Sequence, residues 1–270
     1  MRRRRFAVLL ALLWTACAAG GGSSAPPRFE GTHGLWRKAI EIHQRNRDWY
    51  PERVVILSEV LNRRGQSSSL TEMVFRLRLD AHGRVQAELE RSLKNGEDTT
   101  ERTRSKVTIR SPEEGVDPED DTAYSVSLTD SPFAAASQGA VRAFATSERE
   151  TLYGRLCRRF NFTYRSAIVR KGKAEELTWR GMAWLDEASG VPVKLEFTLT
   201  PLPGLVRRLW SIYLYDIESP DRWVLKRVSM TGHGGFLFIR KNFRTTTTFS
   251  HYRRAPAASR SGPAAKTGHP

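Results

Sequence analysis

The side chains able to do chemistry in this 270-residue chain are few and scattered. Its six histidines are His33, His43, His82, His233, His251 and His269, and no two stand at the short spacings that seat one metal ion on a helix or strand face. Ser189 lies in a turn-like stretch, Asp186 to Gly190, without the glycine frame that raises a serine nucleophile above a sheet. Cys157 falls in an alternating apolar run, where a buried structural thiol is expected rather than a nucleophile. Gly232-His233-Gly234-Gly235 precedes a strand-like stretch rather than a helix, so it reads as a hairpin turn and not as a phosphate cradle. Between Ser111 and Asp121 six acids crowd a loop-forming stretch, but their spacing is not that of a calcium loop. These residues predict no enzyme, no metal and no cofactor.

What remains is apolar and aromatic. Trp179, Trp184, Leu195, Phe197, Trp210, Ile212, Tyr213, Trp223, Phe236 and Phe238 fall on neighbouring predicted strands. They can line a cavity of lipid size or fill a core, and the two roles are compatible.

The elements that position them begin after a leader. Met1 and four arginines precede an apolar run from Phe6 to Trp14 and a small-residue stretch, the three-part layout of a secretory signal. The run is shorter than the roughly 20 residues that span a bilayer. Leu13-Trp14-Thr15-Ala16-Cys17 resembles a lipoprotein signal in which Cys17 becomes the lipidated first residue, with Trp14 departing from the usual leucine; cleavage after Ala18 is the alternative. Residues 1–16 are then the signal and residues 17–33 a flexible Gly/Ser tether. If Cys17 carries lipid, Cys157 has no partner within the chain and no disulfide framework exists. The protein is expected in the cell envelope, facing the periplasm and lipid-anchored, or else soluble in the periplasm or secreted. With 44 basic against 29 acidic side chains, four of the basic ones in the leader, the surface suits anionic lipid or polysaccharide. Export makes nucleic acid the least fitting partner.

One domain is expected over residues 34–253, followed by a disordered Ala/Ser/Gly/Pro tail over residues 254–270. Thr32 is placed to cap a helix from Gly34 to Trp49, with Leu35, Trp36, Ala39, Ile40 and His43 on one face and Pro51 at its end. The periodicity then changes to two. Met73 to Leu79 and Val85 to Leu89 form a hairpin, and a weaker strand follows near Lys106 to Arg110. A short helix is expected between Ser131 and Ser147. Strands follow over Cys157–Tyr164, Leu177–Leu185, Val191–Leu199, Leu209–Ile217, Trp223–Met230, Phe236–Phe243 and Thr245–Tyr252, joined by short turns into an antiparallel meander. Val191, Val193, Leu195, Phe197 and Leu199 are predicted on one buried face, opposite Lys194, Glu196 and Thr198.

Trp179 to Glu196, with Gly181, Trp184, Asp186, Ser189, Gly190, Pro192, Lys194 and Glu196 at fixed offsets, resembles the hairpin of the outer-membrane lipoprotein-sorting proteins, the LolA/LolB-like superfamily. The stretches Gly83 to Thr100 and Ser131-Pro132-Phe133 are similar to that family more loosely. The resemblance implies a mainly β fold, an incomplete antiparallel barrel with helices packed in its concave side, and a hydrophobic cavity that holds acyl chains. Two functions follow as expectations. One is a non-enzymatic envelope protein binding lipid or an acylated lipoprotein in that cavity. The other is an interaction lipoprotein whose barrel is filled by its own side chains and whose basic surface docks an anionic partner.

Overall fold

A computed structural model describes residues 33–62, 64–80, 85–104, 131–170, 173–202, 206–236 and 239–256. The signal, the tether, Cys17, the acidic loop, the strand expected near Lys106 and the tail beyond residue 256 lie outside these residues.

Helix α1 spans Gly34–Asn46 and turns Trp36, Ala39, Ile40 and Ile42 inward. Its N-cap is His33, whose Nδ1 accepts from the Leu35 N–H at 3.2 Å. The helix stops three residues earlier than Trp49, because that residue already begins strand β1, Trp49–Leu61. Pro51 sits inside β1, beyond the last β1–β2 pair, where a missing N–H breaks no bond to β2.

The other strands are β2 Ser67–Leu79, β3 Val85–Lys94, β4 Glu97–Asp98, β5 Val141–Leu152, β6 Arg155–Arg170, β7 Lys173–Asp186, β8 Pro192–Thr200, β9 Val206–Ser219, β10 Arg222–Phe236 and β11 Ile239–Arg254. A short helix α2, Thr100–Arg104, follows β4. The eleven strands form one antiparallel sheet in the order β4-β3-β2-β1-β11-β10-β9-β8-β7-β6-β5. Neighbours in the sheet are neighbours in sequence except β1 and β11, whose pairing from Trp49↔Arg254 to Leu61↔Asn242 joins the two halves of the meander. The sheet is not closed; it is an incomplete barrel with β4 and β5 at its edges. One hydrophobic core takes side chains from β3 at one side and β6 at the other, so the sheet must curl around it.

The strands expected over Phe236–Phe243 and Thr245–Tyr252 are one strand, β11, and two further expectations are corrected. The stretch after Ser131 holds only a 3-10 turn, Ala135–Ala140, and Val141 onward is the edge strand β5. Its alternation is masked by charged and small residues on an exposed edge, so nothing apolar marks it. Gly232 to Gly235 is not a turn: these glycines lie within β10, and the connection comes after Phe236. Gly232 serves a close approach, since a Cβ there would lie 2.2 Å from the ring of Phe243 on β11.

Candidate functional site

The concave face is built by alternate residues of each strand. Phe160, Phe162 and Tyr164 on β6 stand opposite Ala183, Gly181 and Trp179 on β7, and these continue to Leu195, Phe197 and Leu199 on β8. Leu195 pairs with Tyr213, Tyr213 with Val228, Val228 with Thr247, and Thr247 with Ile56, so one row runs across the sheet. Glycine at 181 lets Phe197 fold over the sheet, because a Cβ there would lie 1.9 Å from the Glu196 carbonyl oxygen and 2.6 Å from the Phe197 Cβ.

Rings fill this face. Trp179 stacks on Phe197 with centroids 4.6 Å apart, Phe197 meets Tyr213 edge-on at 5.0 Å, and Tyr164 packs on Trp179 at 5.6 Å. At the end covered by α1, Trp36 packs on Phe133 at 4.8 Å and on Phe160 at 5.6 Å, while Trp223 stacks on Tyr215 at 4.5 Å. The indole N–H groups also find protein acceptors: Trp36 donates to Gln138 Oε1, Trp179 to Ser166 Oγ and Trp223 to the Pro192 carbonyl. Asn46 fastens α1 to the sheet, accepting from the Trp223 N–H at 2.7 Å and donating to the Pro220 carbonyl at 3.0 Å.

Of the ten residues predicted to share one wall, Trp179, Leu195, Phe197, Tyr213 and Trp223 come together on the concave side, all buried. Trp184, Trp210 and Ile212 do not. They occupy positions of opposite parity on β7 and β9, and the pleat sends them to the outer face. Trp184 packs there with Cys157 and Val193, donates to Glu150 Oε2 and carries the Lys194 ammonium 4.5 Å above its ring. Phe236 ends β10, while its side chain and Phe238 lie outside what the structure describes. Val193 also departs from the face predicted for it: the β7–β8 register shifts between Trp184 and Leu185, and the bulge turns Val193 outward. Lys194 and Glu196 pair with each other on that outer side.

Sequence reasoning missed Phe133, Phe160, Phe162 and Tyr164 as members of this cluster. The alternation Phe160-x-Phe162-x-Tyr164 was a signal for three of them; for Phe133, buried only because α1 lies over it, sequence offers none.

Burial favours the neutral form of two side chains, His43 and Cys157. Burial pushes His43, beside the Trp223 ring at 5.9 Å, down to about 4. Burial, and then the nearby Asp186, push the Cys157 thiol up to about 11. An open depression of about 790 Å³ beside α2 is lined by Glu90, Arg91, Glu97, Asp98, Glu101, Arg102 and Arg104 with two threonines, a lining unsuited to an acyl chain. Among the described residues no three metal-ligating side chains converge, and no helix is long and apolar enough to cross a membrane.

No family model and no curated protein matches the chain. Among solved structures it is similar to a DUF1329 family protein from Desulfovibrio piger, at 11% identity over 82% of this chain and 91% of that one, with a TM-score of 0.32. It is similar also to the MucA/MucB complex structure of Pseudomonas aeruginosa, at 8% identity over 83% and 98%, with a TM-score of 0.21. Likeness at these scores carries no argument about function; the strand order and register above stand by themselves.

Proposed function

We propose that this protein is a non-enzymatic module of the cell envelope, a half-barrel of the LolA/LolB-like kind that fills its concavity with its own side chains and acts through its basic surface on an anionic partner. The observation that supports this reading is the packing of the concave face. Trp36, Phe133, Phe160, Trp179, Phe197 and Tyr213 are all less than 7% exposed; Trp36 packs on Phe133 and Phe160, and Phe197 on Trp179 and Tyr213. A ligand entering there would have to displace rings already in contact. The leader supplies the envelope part of the proposal.

One observation favours a lipid site. Leu177, Leu199 and Leu209 continue the concave face toward the end away from α1, and they are only half-buried. An acyl chain laid on them would gain about 0.8 kcal/mol per buried methylene before the costs of association. Titration with fatty acids of increasing length, followed by tryptophan fluorescence, separates the two readings. The self-filled module shows no dependence on length. Affinity that rises with length and then levels off would replace it with the lipid site.

A further inference from the structure

The two edges of the open sheet are finished differently. At one edge β3 is covered beyond its short pairing with β4. The Ser92 N–H donates to Thr100 Oγ1 at 2.9 Å, the Ser92 carbonyl accepts from the Thr99 N–H at 2.8 Å, and the Leu89 carbonyl accepts from Arg104 at 3.2 Å. At the other edge β5 pairs with β6, and no described strand pairs with its far side. An open row of backbone N–H and C=O groups invites another strand, and proteins blunt such rows with charges or bulges.

Strand β5 is blunted over only half its length. Its register with β6 runs unbroken from Val141↔Tyr164 to Ala145↔Phe160 and then shifts, leaving Thr146, Ser147 and Glu148 against Arg159. Thr146 Oγ1 fastens this bulge, donating to the Arg159 carbonyl at 3.1 Å and accepting from the Glu148 N–H at 3.2 Å. Beyond it, Glu148 pairs with Arg159, Arg149 pairs with Glu187, and Glu150 accepts from Trp184. The stretch Val141 to Ala145 has neither defence. It carries one charge, Arg142, which pairs with no acid among the described residues, and one large side chain, Phe144, which is 67% exposed.

The regular stretch is centred on Ala143, and that fixes how a second copy would meet it. Antiparallel pairing about a two-fold axis at Ala143, perpendicular to the sheet, uses all of Val141 to Ala145 and stops at the bulge. An axis at Phe144 would drive the pairing into Thr146. On the concave side Val141 then lies opposite Ala145 of the second copy and Ala143 opposite its equivalent, small side chains beside the Phe160 and Phe162 positions of β6. On the convex side Arg142 of each copy lies opposite Phe144 of the other, so an unpaired guanidinium meets a bare ring twice.

We infer that β5 joins two copies of this chain into one continuous sheet, whatever the concave face holds. The test uses the full chain with Cys17→Ser. Sedimentation at rising concentration should show monomer passing to dimer in the micromolar range, as suits an interface below about 1,200 Å². Phe144→Arg sets arginine opposite Arg142 on both sides of the axis and should weaken the dimer at least about tenfold. Adding Arg142→Glu makes those pairs opposite in charge and should restore it. Both side chains are exposed, so neither change threatens the fold. Ala143→Cys brings two thiols together with Cβ atoms roughly 5 Å apart, whereas Ala145→Cys leaves them roughly 14 Å apart. A short bismaleimide should therefore join the first variant and not the second, while Cys157 is buried and stays unmodified.

A chain that is monomeric up to about 1 mM overturns the inference. So does a dimer that survives Phe144→Arg, a double variant no tighter than Phe144→Arg alone, or equal cross-linking of the two cysteine variants. A purified monomer whose Ala143→Cys variant is cross-linked in cells to a different protein would give the edge to that protein's strand and overturn it too.

Discussion

Gly181 and Gly232 both lie under aromatic rings, yet replacing them should not cost the same. At Gly181 a new Cβ would strike the Glu196 carbonyl and the Phe197 Cβ, atoms fixed to the neighbouring strand, so the strands themselves must separate. At Gly232 the obstacle is the outer edge of the half-buried Phe243 ring, which can swing away. Gly181→Ala should therefore destabilise by more than about 3 kcal/mol and Gly232→Ala by about 1 kcal/mol, as read from urea unfolding midpoints. His43 gives a pH signature. Folded, it takes a proton only near pH 4, while the unfolded chain takes one near 6.5, so between those values the unfolded state binds more protons. Stability should hold above pH 6.5 and fall by about 3 kcal/mol at most as pH drops to 4, and His43→Gln should flatten that slope. Cys157, with its thiol pushed up to about 11, should resist alkylation at pH 8 until the protein is unfolded, as peptide mapping would show.

Asn46 ties helix α1 to the sheet by two hydrogen bonds, and this makes the helix testable as a unit. Asn46→Ala would leave the buried Trp223 N–H without its acceptor and the Pro220 carbonyl without its donor. A loss of about 2 to 4 kcal/mol is expected, and hydrogen exchange in α1 should accelerate more than in β7 and β8. Strand β8 offers the complementary case. Leu195 is buried among rings on the concave side, so Leu195→Ala should cost about 2 to 5 kcal/mol in chemical denaturation. Lys194 has more to lose than its parity suggests, since it both pairs with Glu196 and lies over Trp184.

At the scale of the whole molecule, the contact between β1 and β11 decides whether the sheet exists. Those strands are separated by most of the chain, yet they pair from Trp49↔Arg254 to Leu61↔Asn242 and carry Val54, Ile56, Thr247 and Phe249 into the core. Ending the chain before β11 would leave β1 and β10 each with a long unpaired edge facing its neighbour's former place. Such a truncation should be recovered as aggregate rather than as a monomer with ten strands, a result visible in size-exclusion chromatography. The same closure places the acid-free stretches of β9, β10 and β11 side by side.

The sequence by itself determined a great deal of this arrangement. Alternation marked β2, β3 and β6 to β9, and the spacing of Trp36, Ala39 and Ile40 marked α1. These are local properties, written in the period of side chains along one element. Faces were different. Trp179 and Trp184 look alike in sequence, but five positions on a pleated strand reverse the side, and a bulge beside Leu185 turns Val193 outward against its own alternation. How the concave face is covered depended on α1 and Phe133 arriving over Phe160 and Trp223, contacts between segments far apart in the chain. The pairing of the first strand with the last was decided there too, because backbone hydrogen bonds carry no record in sequence of which strand will supply them.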